Sequence, residues 1–116
     1  MTDPLLKSLD RISRVRGVSG SMFVAAEDGL AVAQLLMEGV NARALAAFAA
    51  SLARKVSGAA AATGSGAVRF IQMQTGGGIL LVCVGGELLI AAVADAGVNV
   101  GLARLEMLRA MESAEA

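Results

Sequence analysis

The chain has 116 residues, of which 56% are hydrophobic and only 17% are charged; it therefore fits one folded domain and is not a disordered segment. Its ten basic and ten acidic residues cancel, and its only aromatic residues are three phenylalanines, which argues against a nucleic-acid-binding surface. Histidine is absent and Cys83 is the single cysteine, so the sequence predicts no disulfide, no metal site and no cofactor.

The N-terminal segment predicts a short amphipathic helix. Asp3 and Pro4 form a helix start, and the apolar residues Leu5, Leu9 and Ile12 recur on one face. The segment is charged and lacks the apolar core of a signal peptide. No apolar run of the chain is long enough and continuous enough to cross a bilayer. We therefore expect a cytoplasmic protein without a membrane span.

Two apolar segments, 21–26 and 30–37, predict a β-hairpin. They are separated by Glu27, Asp28 and Gly29. Gly29 can take a positive φ, and the side chain of Asp28 can accept a hydrogen bond from its own backbone. Two consecutive carboxylates are too few for a calcium loop, and no lysine is present to bind phosphate. The element is therefore interpreted as a turn.

The next segment is an alanine-rich helix, ARALAAFAASLARKVSGAAAA, which Asn41 can cap. Apolar residues at helical spacing predict its core face, namely Leu45, Phe48, Ala49, Leu52, Val56 and Ala59. Small residues on the opposite side and one flank would let another backbone come close, so we expect a partner-binding surface made of Arg43, Ala46, Ala47, Ala50, Arg54 and Ser57. Alanine is also the best helix former, so an ordinary solvated face is the alternative.

Three further apolar runs, 67–74, 78–84 and 87–94, predict strands joined by glycine-rich turns. They show little polar alternation, which is typical of strands covered on both faces. Asn99 can then cap a last helix. The predicted fold class is α/β (α+β) with the order α-β-β-α-β-β-β-α, and residues 1–116 form one domain. We expect a five-stranded, mostly antiparallel sheet with helices on both faces.

The first of these three strands, AVRFIQMQ, is the most edge-like because Arg69, Gln72 and Gln74 interrupt it. An open sheet edge is a liability that pairing with a second copy removes. The excess of apolar residues also favours an oligomer. We therefore expect a homodimer in which Arg69, Ile71 and Met73 lie on the paired edge strand and the two alanine-rich helices lie side by side.

The sequence predicts no catalytic residue and no enzyme. Acid–base chemistry needs converging carboxylates or a histidine, but the carboxylates fall at turns, helix ends and polar helix faces. No serine lies in a nucleophile elbow, and nothing near Cys83 would lower its pKa. Asp95 and Asn99 are interpreted as a loop and a helix cap.

Taken together, these segments resemble the Roadblock/LC7 domain family, in particular its bacterial MglB-like branch. The resemblance runs from about Leu5 to Met111 and rests on four segments in order: RVRGVSGSMFVAAEDGLAVAQ, NARALAAFAASLARKV, GGILLVCVGGELLIAAVA and AGVNVGLARLEMLRAM. It implies a profilin-like fold and a dimer built by joining sheets. It also implies a platform for a Ras-like small GTPase on the face of the second helices, and stimulation of GTP hydrolysis through the GTPase's own catalytic groups. The contact residues implied are Arg43, Ala47, Ala50, Arg54 and their neighbours.

Three classes of function stay open. The first is a dimeric binding module that scaffolds or regulates a Ras-like small GTPase. The second is a structural scaffold, for example in a motor complex, with no nucleotide-dependent partner. The third, a small enzyme or ligand-binding domain of profilin-like shape, is opposed by the missing catalytic groups. Binding that differs between GTP and GDP would separate the first class from the second.

Overall fold

The structure is a computed structural model that describes residues 3–116. Helices and strands follow one another in the predicted order. They are α1 (Pro4–Ser13), β1 (Val18–Ala25), β2 (Ala31–Leu36), α2 (Ala42–Ala62), β3 (Phe70–Thr75), β4 (Gly78–Val84), β5 (Leu88–Ala94) and α3 (Val100–Glu115).

The five strands form one sheet in the spatial order β2-β1-β5-β4-β3. Every neighbouring pair is antiparallel, so the sheet is fully rather than mostly antiparallel. The predicted edge position of β3 is confirmed, and β2 forms the opposite edge.

Helices cover both faces of the sheet, as the nearly continuous apolar strands predict. On one face, α1 and α3 pack over Phe23, Leu81 and Ile90. On the other face, α2 alone packs over side chains that include Met22 and Val82. Because successive residues of a strand point to opposite faces, each central strand contributes to both cores.

The main differences from prediction lie at element ends. The third strand begins at Phe70 rather than at residue 67. The preceding loop contains Gly64 and Gly66, both with positive φ, which end the helical path after α2 and delay the strand. The link between β4 and β5 has three residues, 85–87, rather than the two glycines predicted.

The turn after β1 has the predicted construction. Gly29 has a φ of 71°, and the backbone N–H of Leu30 donates to Oδ1 of Asp28 at 3.2 Å. A side chain at Gly29 would also contact Ala50 of α2, since its Cβ would lie 3.4 Å from the Ala50 Cβ. The turn therefore lies directly against the side of α2.

No helix within residues 3–116 has the length and hydrophobicity that crossing a membrane requires.

Candidate functional site

The candidate site is built on α2, whose start is fixed by Asn41. The Asn41 side chain accepts a hydrogen bond from the backbone N–H of Ala44 at 3.0 Å, which satisfies one of the free donors of the first turn. From this cap the helix runs for 21 residues. Its buried residues form one stripe along the sheet, made of Leu45, Ala46, Ala49, Ala50 and Ala53.

This stripe corrects the predicted orientation of the helix. Ala46 and Ala50 were expected on the outward surface, but each is only 1% exposed and packs against the sheet. Phe48, expected in the core, is 48% exposed, and Ala59 is also exposed. With about 100° of rotation per residue, the buried stripe is turned by about 80° from the predicted one.

The reason is the size of the side chains that meet between helix and sheet. The sheet side chains that face α2 are mostly large, such as Met22, Leu80 and Leu89, and alanines on the helix let it pack closely over them. A phenylalanine placed in that stripe would hold the helix further away, so Phe48 lies at the flank of α2. The signal in the sequence is the clustering of Ala46, Ala49, Ala50 and Ala53 on one side of the helix, which suits close packing over larger side chains of the sheet.

The other predicted partner-binding residues have mixed positions. Arg43 and Ala47 are exposed. Arg54 is also exposed, and its Nη1 donates to the carbonyl oxygen of Ala26 at 3.3 Å, which ties the helix to the end of β1. Ser57 is half-buried. We use the term outward side of α2 for the residues that face away from the sheet; besides Arg43, Ala47 and Arg54 they are Ala44, Phe48, Ser51, Lys55 and Gly58.

A shallow groove separates the Phe48 flank of α2 from the edge of the sheet. Its volume is about 190 Å³, and its walls include Leu45, Phe48 and Met73. The groove exists because α2 packs mainly over β2, β1 and β5, so the side of β3 that faces the groove is only partly covered. Phe48 and the groove together form the most apolar part of the outward side.

The edge strand β3 places its predicted residues beside this groove. Ile71 and Met73 are half-buried and pack against the core on the α2 side, while Arg69 is exposed. The alternate residue Phe70 points to the opposite face, where the guanidinium of Arg104 lies 5.4 Å from its ring centre. The structure thus brings Ile71 and Met73 to the same side of the sheet as α2.

The charged residues of α2 itself are all cationic. Residues 39–86 contain no Asp or Glu but include Arg43, Arg54, Lys55 and Arg69. In the part of the chain that the structure describes, the ion pairs join Asp10 to Arg14 and Glu106 to Arg109, both away from α2. The cations on α2, and Arg69 just before β3, form no ion pair within the described residues.

The described residues show no grouping that could hold a metal ion. Cys83 is buried, and burial raises the pKa of its thiol to about 11. Such a thiol is protonated at neutral pH and is a poor nucleophile and metal ligand.

Comparison with known proteins identifies the family. The sequence profile of the Roadblock/LC7 domain matches residues 5–95. The chain belongs to the Roadblock/LC7 family. Two relatives from Methanocaldococcus jannaschii, the uncharacterized proteins MJ1340 and MJ0310, are 32% and 31% identical over 105 residues. Each alignment covers 90% of this chain and 91% of the relative.

Solved structures of Roadblock/LC7 domains share the fold. A Roadblock/LC7 domain from Streptomyces avermitilis superposes with a TM-score of 0.85 at 20% identity, over 94% of this chain and 92% of that one. Myxococcus xanthus MglB superposes with a TM-score of 0.84 at 16% identity, over 98% and 90% of the two chains. At these identities the likeness establishes the α+β fold of this Roadblock/LC7 domain and nothing more specific.

Proposed function

We propose that this Roadblock/LC7 domain is a dimeric binding module that docks a Ras-like small GTPase on the outward side of α2. The observation that carries the proposal is the exposed Phe48 beside an open groove. This groove lies between α2 and the unpaired edge strand β3. The MglB-like pattern of the sequence supplies the class of partner.

The position of β3 supports the proposed dimer. Its outer edge has no neighbouring strand, and an uncharged edge of this kind favours strand pairing. Antiparallel pairing of β3 with its copy would make one ten-stranded sheet. Because Ile71 and Met73 face the same side as α2, the two copies of α2 would then flank the junction.

The composition of the outward side fits a protein partner. Aromatic and arginine side chains are enriched at protein interfaces and dominate their binding energy. Here Phe48 is the exposed aromatic anchor, and Arg43 lies on the adjacent flank. Ala44 and Ala47 add little bulk between them, so a partner surface can approach the helix backbone.

The test measures binding of a purified Ras-like GTPase encoded in the same genome, loaded with GTP or GDP. We expect binding to the GTP form, and we expect Phe48→Ala to weaken it by about tenfold or more because the anchor side chain is lost. Leu105→Ala is the matched control, since Leu105 is similarly exposed but lies on α3, on the opposite face.

Three results would contradict the proposal. One is the absence of binding to any Ras-like GTPase of that genome. Another is an equal loss of binding in the Leu105→Ala variant, which would place the contact elsewhere. Equal binding of the GTP and GDP forms would instead favour a structural scaffold.

A further inference from the structure

The edge strand β2 and the residues directly beside it carry a concentration of exposed apolar side chains. Eight large hydrophobic residues of the described chain are exposed, and four of them lie within residues 30–37. Those four, with their exposed fractions, are Leu30 (63%), Val32 (51%), Leu35 (40%) and Met37 (64%). Single exposed apolar side chains are ordinary on a protein surface, whereas a group of them marks an interaction surface.

The backbone of β2 is open on the same edge. The strand pairs with β1 on one side and has no strand on the other. A bulge leaves Val32 without a partner in β1, whereas residues 33–36 pair with 20–23 in an unbroken register. These four residues therefore present a regular row of outward backbone groups to which another strand can add.

Charges bracket this apolar edge. The strand itself is uncharged, while Glu27 and Asp28 precede it and Glu38 follows it. All three carboxylates belong to exposed residues, and none forms an ion pair within residues 3–116. A segment lying along β2 would therefore meet apolar side chains at its centre and negative charge at both ends.

We propose that β2 binds an extended segment of a different protein as an added strand. Alternate apolar side chains of that segment would contact Leu35 and its neighbours, and Lys or Arg at its two ends would face the carboxylates. This proposal goes beyond the docking role of α2, because it needs neither the GTPase nor the β3 dimer.

A second copy of this chain is the poorer occupant. Antiparallel pairing of β2 with itself about Ala33 would place Asp28 opposite Glu38, and like charges directly opposite destabilise a pair. Pairing about Gln34 would place Glu38 against Leu30. The edge strand β3 of another copy is flanked by a cation, Arg69, at one end only. A segment with cations at both ends fits the edge better than any strand of this chain.

The test uses three synthetic ten-residue peptides that share a central Thr-Val alternation. One has two lysines at each end, one has two glutamates at each end, and one has lysine ends with a central proline. We expect the lysine-ended peptide to bind about tenfold more tightly than the glutamate-ended one in fluorescence anisotropy. The proline peptide should not bind, because proline lacks an N–H and disrupts strand pairing. Bound peptide should slow hydrogen exchange of amides within residues 33–36.

Matched variants locate the contact. Leu35→Lys should abolish binding of the lysine-ended peptide, while Leu105→Lys, a substitution of a similarly exposed leucine on α3, should leave it unchanged. Glu38→Lys should reduce the preference for lysine ends over glutamate ends. Circular dichroism of each variant checks that the fold is retained.

The proposal is overturned if the lysine-ended peptide does not bind at millimolar concentration or if Leu35→Lys leaves its binding unchanged. It is also overturned if self-association of the wild-type chain is lost in Leu35→Lys but kept in Gln72→Lys. That result would show that a second copy covers β2.

Discussion

The thiol of Cys83 lies in β4, between the sheet and the layer formed by α1 and α3, with 1% of the residue exposed. Burial raises its pKa to about 11, the nearby carboxylate of Glu115 acts in the same direction, and the guanidinium of Arg104 acts in the opposite direction. Desolvation dominates because a thiolate loses its hydration in the apolar core. Cys83 therefore serves as a small core residue.

This raised pKa makes stability depend on alkaline pH. In the unfolded chain the thiol ionises near its ordinary value of 9.0, whereas in the folded chain it stays protonated to about pH 11. The folded state thus holds one more proton in this interval, so stability is unaffected below about pH 9 and falls as the pH rises towards 11. Two pKa units correspond to about 2–3 kcal/mol.

Urea unfolding at about pH 8 and about pH 10.5 measures this effect. The chain has no tyrosine, so no phenol ionises in this interval. The Cys83→Ala variant is the control and should lose less stability than the wild type. An equal loss in both proteins would show that the thiol is not responsible.

At the scale of elements, the sequence predicts the features that depend on residue type and spacing within one segment. The caps Asn41 and Asn99, the order of helices and strands, and the turn at Gly29 all follow from residue type and spacing, and the structure has each of them. The orientation of α2 does not follow from local pattern. Nearly every position of this helix is apolar or small, so the choice between two stripes depends on the sheet beneath.

On the candidate surfaces, too, some exposed residues follow from local sequence pattern and others do not. The exposure of Arg43 and Ala47 is as predicted, whereas the exposed Phe48 was missed because an aromatic residue at helical spacing is usually buried. The apolar run of β2 also resembles a covered strand. Its exposure results from the strand order, which places it at an edge, and strand order is not encoded in the periodicity of one segment.

The orientation of α2 can be tested by two equal substitutions in the helix. Ala50→Leu adds a large side chain to the stripe against the sheet, and we expect it to lower the free energy of unfolding by about 1–3 kcal/mol. Ala44→Leu makes the same change at an exposed position and should have little effect, because leucine and alanine have similar helix propensity. Denaturant midpoints give the comparison. Equal stability of the two variants would contradict the observed orientation.

At the scale of the whole molecule, the two sheet edges differ in their surroundings. The β3 edge lies in a segment without carboxylates and adjoins the cationic α2, whereas carboxylates bracket the β2 edge. Both strands are themselves uncharged and open to pairing. Their different flanking charges allow the two edges to select different partners, in keeping with the proposed dimer at β3 and the proposed added strand at β2.

The proposed dimer predicts that a charge on β3 weakens self-association while the same charge on β2 does not. Gln72→Lys alters an exposed position of β3 without removing any core side chain. In an antiparallel pairing of β3 with its copy, the two added lysines would lie near each other across the junction, where Arg69 already contributes positive charge. We expect the dimer dissociation constant to rise by about tenfold.

Gln34→Lys is the matched control, because Gln34 is an exposed glutamine on the opposite edge strand. Sedimentation equilibrium at micromolar concentration distinguishes a monomer of 11.6 kDa from a dimer. A monomeric wild-type chain would refute the dimer outright. A dimer that Gln34→Lys weakens and Gln72→Lys does not would place the interface at β2. If only Gln72→Lys weakens the dimer, two copies are joined through β3 and each leaves its β2 edge free at an end of the joined sheet.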